Sequence, residues 1–142
     1  MTNPTQITSL RVPTVNLTAA RTLTEADSGK TFMLDLAGGF TVILPPVKTA
    51  GNGFSVTFKV ETSPTTAYII TETTGSDTNV LTGGSSSAEL TDAAVAAYSA
   101  AYTQINFVAN QAVLGDWATI VGDGTRYWTH VHTNVQAGVT LT

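Results

Sequence analysis

No cysteine occurs among the 142 residues. That excludes disulfides and thiolate chemistry, and it leaves the redox compartment open. Charge is scarce as well: Asp, Glu, Lys and Arg make up 11% of the chain, less than half the usual share of about 25%. Six basic residues stand against ten acidic ones, a formal net charge of −4. No basic stripe is present, so a nucleic-acid partner lacks its electrostatic footprint. No apolar run approaches the roughly 18 residues of a membrane span. Met1 to Gln6 carries neither the basic region nor the apolar region of a secretory signal. Neither nucleic acid nor membrane is therefore expected as a partner. Asn16-Leu17-Thr18 matches a glycosylation acceptor, a pattern that needs a secreted context to matter.

What is present is apolar and hydroxylic. Hydrophobic residues form 42% of the sequence, and the length suits one domain with a sizeable core. Threonine supplies about one residue in five; it is β-branched and favours strands. The polar faces are written in hydroxyls rather than charges. This fits surfaces that pack against other protein, whose cores are depleted in charge; it fits a threonine-rich monomer equally well.

Residues 1–20 read as an extended N-terminal arm, with 21–142 as a single β domain. Pro4 and Pro13 break any helix and disfavour a central strand. Ile7, Leu10, Val12, Val15 and Leu17 are too many apolar residues for a tail that stays in water. Two readings follow: an arm that docks on a neighbouring chain by adding a strand to an exposed edge, or an edge strand folded onto its own domain. Thr24-Glu25-Ala26-Asp27 fits a loose capping box, and Glu25 to Gly29 reads as a tight turn with one helical turn. Strands are expected at 21–24, 30–36, 40–44, 54–61, 67–72, 79–82 and 103–109. The clearest is Phe54 to Glu61, where Phe54, Val56, Phe58 and Val60 alternate with Ser55, Thr57, Lys59 and Glu61. Gly83 to Ser87 reads as a flexible loop. The alanine-rich stretch 91–102 breaks the β pattern; Thr91 or Asp92 caps it, and Val95, Tyr98 and Tyr102 follow helical spacing. One short helix is expected there, with an irregular loop as the competing reading. No internal repeat of fixed period appears. The fold class is all-β, an antiparallel β-sandwich or barrel.

The chain is organised around residues 115–132, where two β-rich runs flank Asp123-Gly124, a strong hairpin signal. Both tryptophans, Trp117 and Trp128, fall here. Trp117, Asp123, Gly124, Tyr127 and Trp128 are expected to form the core of this hairpin. His130 and His132 share one face of the second strand. Such a pair begins a metal site, yet Asp116 and Asp123 lack supporting spacing, so no metal is assigned and the pair reads as surface or interface histidines. Asp27, Asp77, Asp92 and Asp123 sit where turns and caps favour Asp, and sequence fixes no glycosidase spacing between Asp35 and Glu61. No serine occupies a G-x-S-x-G elbow, and Gly83-Gly84 has no P-loop lysine. No enzyme activity and no cofactor are expected.

Leu23 to Asp35, followed by Gly39-Phe40-Thr41-Val42-Ile43-Leu44-Pro45, resembles a segment common in tailed-phage virion proteins. Gly115-Asp116-Trp117 with Val121 to Trp128 is similar to a hairpin in the same proteins, although Gly122 stands where serine is usual. The two matches bracket residues 20–132. The pattern occurs in capsid decoration (cement) proteins and also in fibre or spike modules. The resemblance implies a β-rich structural module on the outer surface of the virion capsid. Its partner would be the major capsid protein, whose neighbouring subunits it bridges, and the family is commonly trimeric. A short chain with no shaft favours decoration. The rival implied by the resemblance is a tail fibre or spike module that binds a host receptor or glycan, with Tyr127 and Trp128 stacking on sugars.

Overall fold

A computed structural model describes residues 11–89 and 96–142. Twelve strands are present among them: β1 (Thr14–Leu17), β2 (Arg21–Thr22), β3 (Thr31–Leu34), β4 (Thr41–Ile43), β5 (Asn52–Val60), β6 (Tyr68–Thr71), β7 (Leu81–Ser87), β8 (Ala96–Tyr102), β9 (Gln104–Phe107), β10 (Trp117–Asp123), β11 (Tyr127–Thr133) and β12 (Val139–Leu141). One helical turn, α1 (Val47–Ala50), follows Pro45-Pro46. The strands form a seven-stranded sheet in the order β1-β3-β5-β10-β11-β7-β8 and a five-stranded sheet in the order β12-β9-β6-β4-β2.

Alternation explains the layering. Phe32, Leu34, Val56, Phe58, Val60, Ala118, Ile120 and Val131 turn inward from the larger sheet. Val42, Tyr68, Ile70, Ile105 and Phe107 turn inward from the smaller. They join in one buried cluster, in which Phe32 stacks on Phe58 at 5.6 Å between ring centroids. The result is a sandwich of two sheets.

The sheets are mixed rather than antiparallel. From β1 to β6 the chain changes sheet at every strand. Each strand therefore returns in the same direction beside the strand two before it. This makes β1–β3, β3–β5, β2–β4 and β4–β6 parallel. The steps are unequal: Thr14 lies against Thr31, and Thr31 against Thr57. The coil therefore has no fixed period to detect. β7 also runs parallel to β11, whereas β5–β10, β10–β11 and β7–β8 are antiparallel.

Two expectations are overturned here. Gly83 to Ser87 is not a loop but most of β7. Residues 96–102 are not helical but form β8, antiparallel to β7; residues 91–95 of the expected helix lie outside the described residues. The helix preference of alanine is worth tenths of a kcal/mol per residue and yields to pairing with a neighbouring strand. The tight turn at Glu25 is present as a single 3-10 turn, Glu25–Asp27.

The arm divides. Ile7 and Leu10 lie outside the described residues. Val12 is exposed, Val15 packs against the core, and Leu17 is buried within it. Thr14–Leu17 is thus an edge strand of its own domain, which moves the start of the domain back from residue 21.

Candidate functional site

The hairpin of β10 and β11 crosses the middle of the larger sheet, and its turn is held by one carboxylate. Asp123 Oδ1 accepts the amides of Thr125 and Arg126, each at 2.7 Å. Its Oδ2 accepts the indole N–H of Trp128 at 2.7 Å. The Trp128 bond, then the two amides, hold the Asp123 carboxyl below its ordinary range. Gly124 takes a φ of 87° at the turn, which glycine adopts without a Cβ penalty.

The period of two sorts the aromatic side chains. Tyr127, Thr129 and Val131 point inward, so Trp128, His130 and His132 point outward. Tyr127 is fully buried, stacks edge-on against Phe54 and donates its hydroxyl to the Pro45 carbonyl at 2.7 Å. Burial pushes its phenol well above the usual value. Of the five residues expected at the heart of this hairpin, Tyr127 enters the core and Asp123 with Gly124 makes the turn, whereas the two tryptophans do not turn inward. Trp117 and Trp128 lie on the outer face because Trp117 pairs with His132 and Trp128 with Val121.

That outer face is the candidate site. The Trp117 ring stacks against His130 at 5.4 Å and 17°, and against His132 at 5.8 Å and 30°. β7 brings Ser86 beside both imidazoles, 3.0 Å from His132 Nδ1 and 3.4 Å from His130 Nε2. Further out, Trp128 is 50% exposed, Val121 40% and Tyr98 73%. Gly84 lies between His130 and Tyr98 in register and adds no side chain. Lys59, opposite Trp117, brings a positive charge to this area. The arrangement is an aromatic and hydroxylic surface with one flanking positive charge, suited to contact.

The carboxylates are engaged elsewhere. Asp116 is fully buried and accepts the Val113 amide (2.9 Å), the Asn134 amide (2.8 Å) and the Asn134 side chain (2.9 Å). Asp77 takes the first amide of α1, and Glu72 takes the amides of Asn79 and Val80. Asp35 accepts the Thr62 hydroxyl and the Asn16 amide group, which lower its pKa in that order. Asp92 lies outside the described residues. Turn and cap duty thus accounts for Asp77 and Asp123, as expected. Asp27 adds an ion-pair role with Arg21 and Lys30. The histidine pair gains Ser86, and among the described residues neither imidazole makes an ion pair. Among the described residues no three His, Asp or Glu side chains gather in a metal-binding group.

Sequence reasoning missed Ser86, Val121 and Tyr98 as members of this face. Val121 could have been found from its place opposite Trp128 across the Asp-Gly turn. Ser86 and Tyr98 could not, because only the parallel pairing of β7 with β11 brings them in. The chain matches no family model and no curated protein.

Proposed function

We propose that this chain is a structural protein of a tailed-phage virion, a head decoration protein that binds the capsid surface and reinforces it by bridging major capsid subunits. The observation that carries the reading is the outer face of the larger sheet, where Trp128 and Val121 of the hairpin and Tyr98 of β8 stand exposed. The resemblance of residues 23–45 and 115–128 to virion proteins supports it. The mechanism is burial: contacts worth about 25 cal/mol per Å² of apolar area, repeated over a shell, sum to a large stabilisation. Charge is low, so little is desolvated at each contact. Val15 and Leu17, expected in a capsid-binding arm, are committed to their own sheet, which favours this face as a capsid contact.

The test is a binding titration against capsids assembled without the protein. Trp128→Ala and Tyr98→Ala should each weaken binding about tenfold or more, as central aromatic anchors do. The domain should lose no more than about 1 kcal/mol, because Tyr98 is largely exposed and Trp128 is half-exposed with a single hydrogen bond, to Asp123. Undiminished capsid binding by both variants would remove this face from the account. The fibre-module reading loses one of its two sugar-stacking rings, since Tyr127 is buried. Hits on a glycan array that disappear in Trp128→Ala would revive it.

A further inference from the structure

Among the described residues the two sheets have four edges, and three of them are blunted. β2 has two residues and β12 has three. β1 has four and follows directly on Pro13. Short strands, charge and proline are the usual means of keeping an edge from pairing with another chain. β8 has none of these three; its one irregularity is a register shift against β7 between Ser99 and Tyr102, which leaves Ala96 to Ser99 regularly paired. It runs for seven residues, Ala96–Tyr102, with no charged residue and no proline, and Tyr98 on it is the most exposed large apolar side chain described.

We propose that the β8 edge receives residues 5–10 of a second copy of this chain as an added strand. Thr5-Gln6-Ile7-Thr8-Ser9-Leu10 suits that role: it is uncharged, lies after Pro4, and is rich in β-branched residues. Main-chain hydrogen bonds would supply the affinity, as in strand addition generally.

Reach identifies the recipient as another copy. Leu10 is joined to β1 through Arg11, Val12 and Pro13, and β1 and β8 are opposite edges of one sheet. The four steps from Leu10 to Thr14 span at most about 14 Å. Six strand spacings of ~4.8 Å separate β1 from β8 by about 29 Å. The segment therefore cannot cover the β8 edge of its own domain. Donation from one copy to the next is head-to-tail, and such contacts close into a ring when the rotation allows. The inference does not require the capsid role.

The absence of cysteine makes the test clean. One preparation carries Ile7→Cys and another Ala100→Cys, on the exposed part of β8. Mixed and mildly oxidised, they should form the mixed disulfide well in excess of either homodimer. Sedimentation of the unaltered chain should show an oligomer. Removing residues 1–10, or placing an edge lysine through Ala100→Lys, should shift it to monomer with the circular dichroism of the fold retained. A monomeric parent chain, an oligomer that survives removal of residues 1–10, or no preference for the mixed disulfide would each overturn the proposal. A monomer in solution whose residues 1–10 crosslink only to capsid subunits would do the same, and would leave the proposed function standing.

Discussion

The coil of β1 to β6 and the closing segment of β7 to β12 share one core but present different surfaces. On the outer face of the coil, Thr14, Thr31 and Thr57 line up in register across three parallel strands. The same row continues into the closing segment as Thr119, His130, Gly84 and Tyr98. One register line thus passes from uniform hydroxyls to imidazole and aromatic groups. The coil behaves as scaffold: its inward face is tied by apolar contacts, and its outer face carries this hydroxyl row beside a mixed row of Asn16, Met33 and Lys59. The distinctive side chains stand on the strands added last. A contact surface placed there can vary while the wound core stays fixed.

The sharpest way to break this comparison is to overfill one close backbone approach in each segment. A Cβ on Gly39 would lie 2.0 Å from the Thr66 carbonyl oxygen, at a φ of +64°. A Cβ on Gly83 would lie 1.9 Å from the Thr129 carbonyl oxygen. Backbone cannot yield as a side-chain tip can, so Gly39→Ala and Gly83→Ala should each cost more than about 4 kcal/mol, the range reserved for gross misfit. Their patterns should differ in hydrogen exchange. Gly39→Ala strikes the turn between β3 and β4 and should lower protection throughout. Gly83→Ala should release β7 and β8 first and leave β3 and β5 protected. Equal loss in both variants would mean that the coil does not hold without its closing strands.

Legibility follows the same division. β3, β4 and β5 of the coil are legible because each carries its own alternation; Phe54 to Val60 announces a buried face with no help from elsewhere. The Asp123-Gly124 hairpin was visible because its signal is local. What failed was non-local. Gly83 to Ser87 looks like a linker by composition, and it is a strand only because β11 lies beside it. Gly83 is required there because the backbone of Thr129 approaches closely, while the Thr129 hydroxyl bonds to Tyr102. Alanine at 96, 97, 100 and 101 gave a helical impression that β7 overrides. The mixed direction of the sheets was hidden because coil steps of unequal length leave no period. Size suggests a core place for the hairpin tryptophans, whereas their parity relative to Tyr127 sends them outward.

A middle-sized effect separates two buried tyrosines that brace the two segments. In the coil, the Tyr68 hydroxyl accepts the Leu36 amide at 2.9 Å and also lies 2.9 Å from the Thr62 carbonyl oxygen, to which it donates. In the closing segment, Tyr127 donates to the Pro45 carbonyl alone. Tyr68→Phe strands a backbone donor and should cost about 2 kcal/mol; Tyr127→Phe leaves one carbonyl short and should cost about 1 kcal/mol. Urea unfolding with an unchanged slope would measure the difference. A reversed order would show that Tyr127 braces the sandwich more than its single bond suggests.

The smallest effect concerns charge in the coil. Asp27 is buried, which alone would raise its pKa. Its bonds to Lys30 (2.7 Å) and the Thr24 amide (3.1 Å), with the nearby Arg21 guanidinium, outweigh burial and hold the carboxyl below its ordinary value of 3.8. A carboxylate with a depressed folded pKa stabilises the protein above the unfolded pKa, and that contribution fades as pH falls through the folded value. Asp27→Asn should therefore lower stability by about 1 kcal/mol at neutral pH, since both cationic partners are partly exposed. The gap between variant and parent should stay constant down to about pH 5 and close below about pH 4. Thermal unfolding across pH 2 to 7 would trace it. A gap that persists at the acid end would assign the contribution of Asp27 to the neutral hydrogen bond with Thr24, which asparagine cannot then be reproducing, rather than to the ion pairs that tie the first turn of the coil.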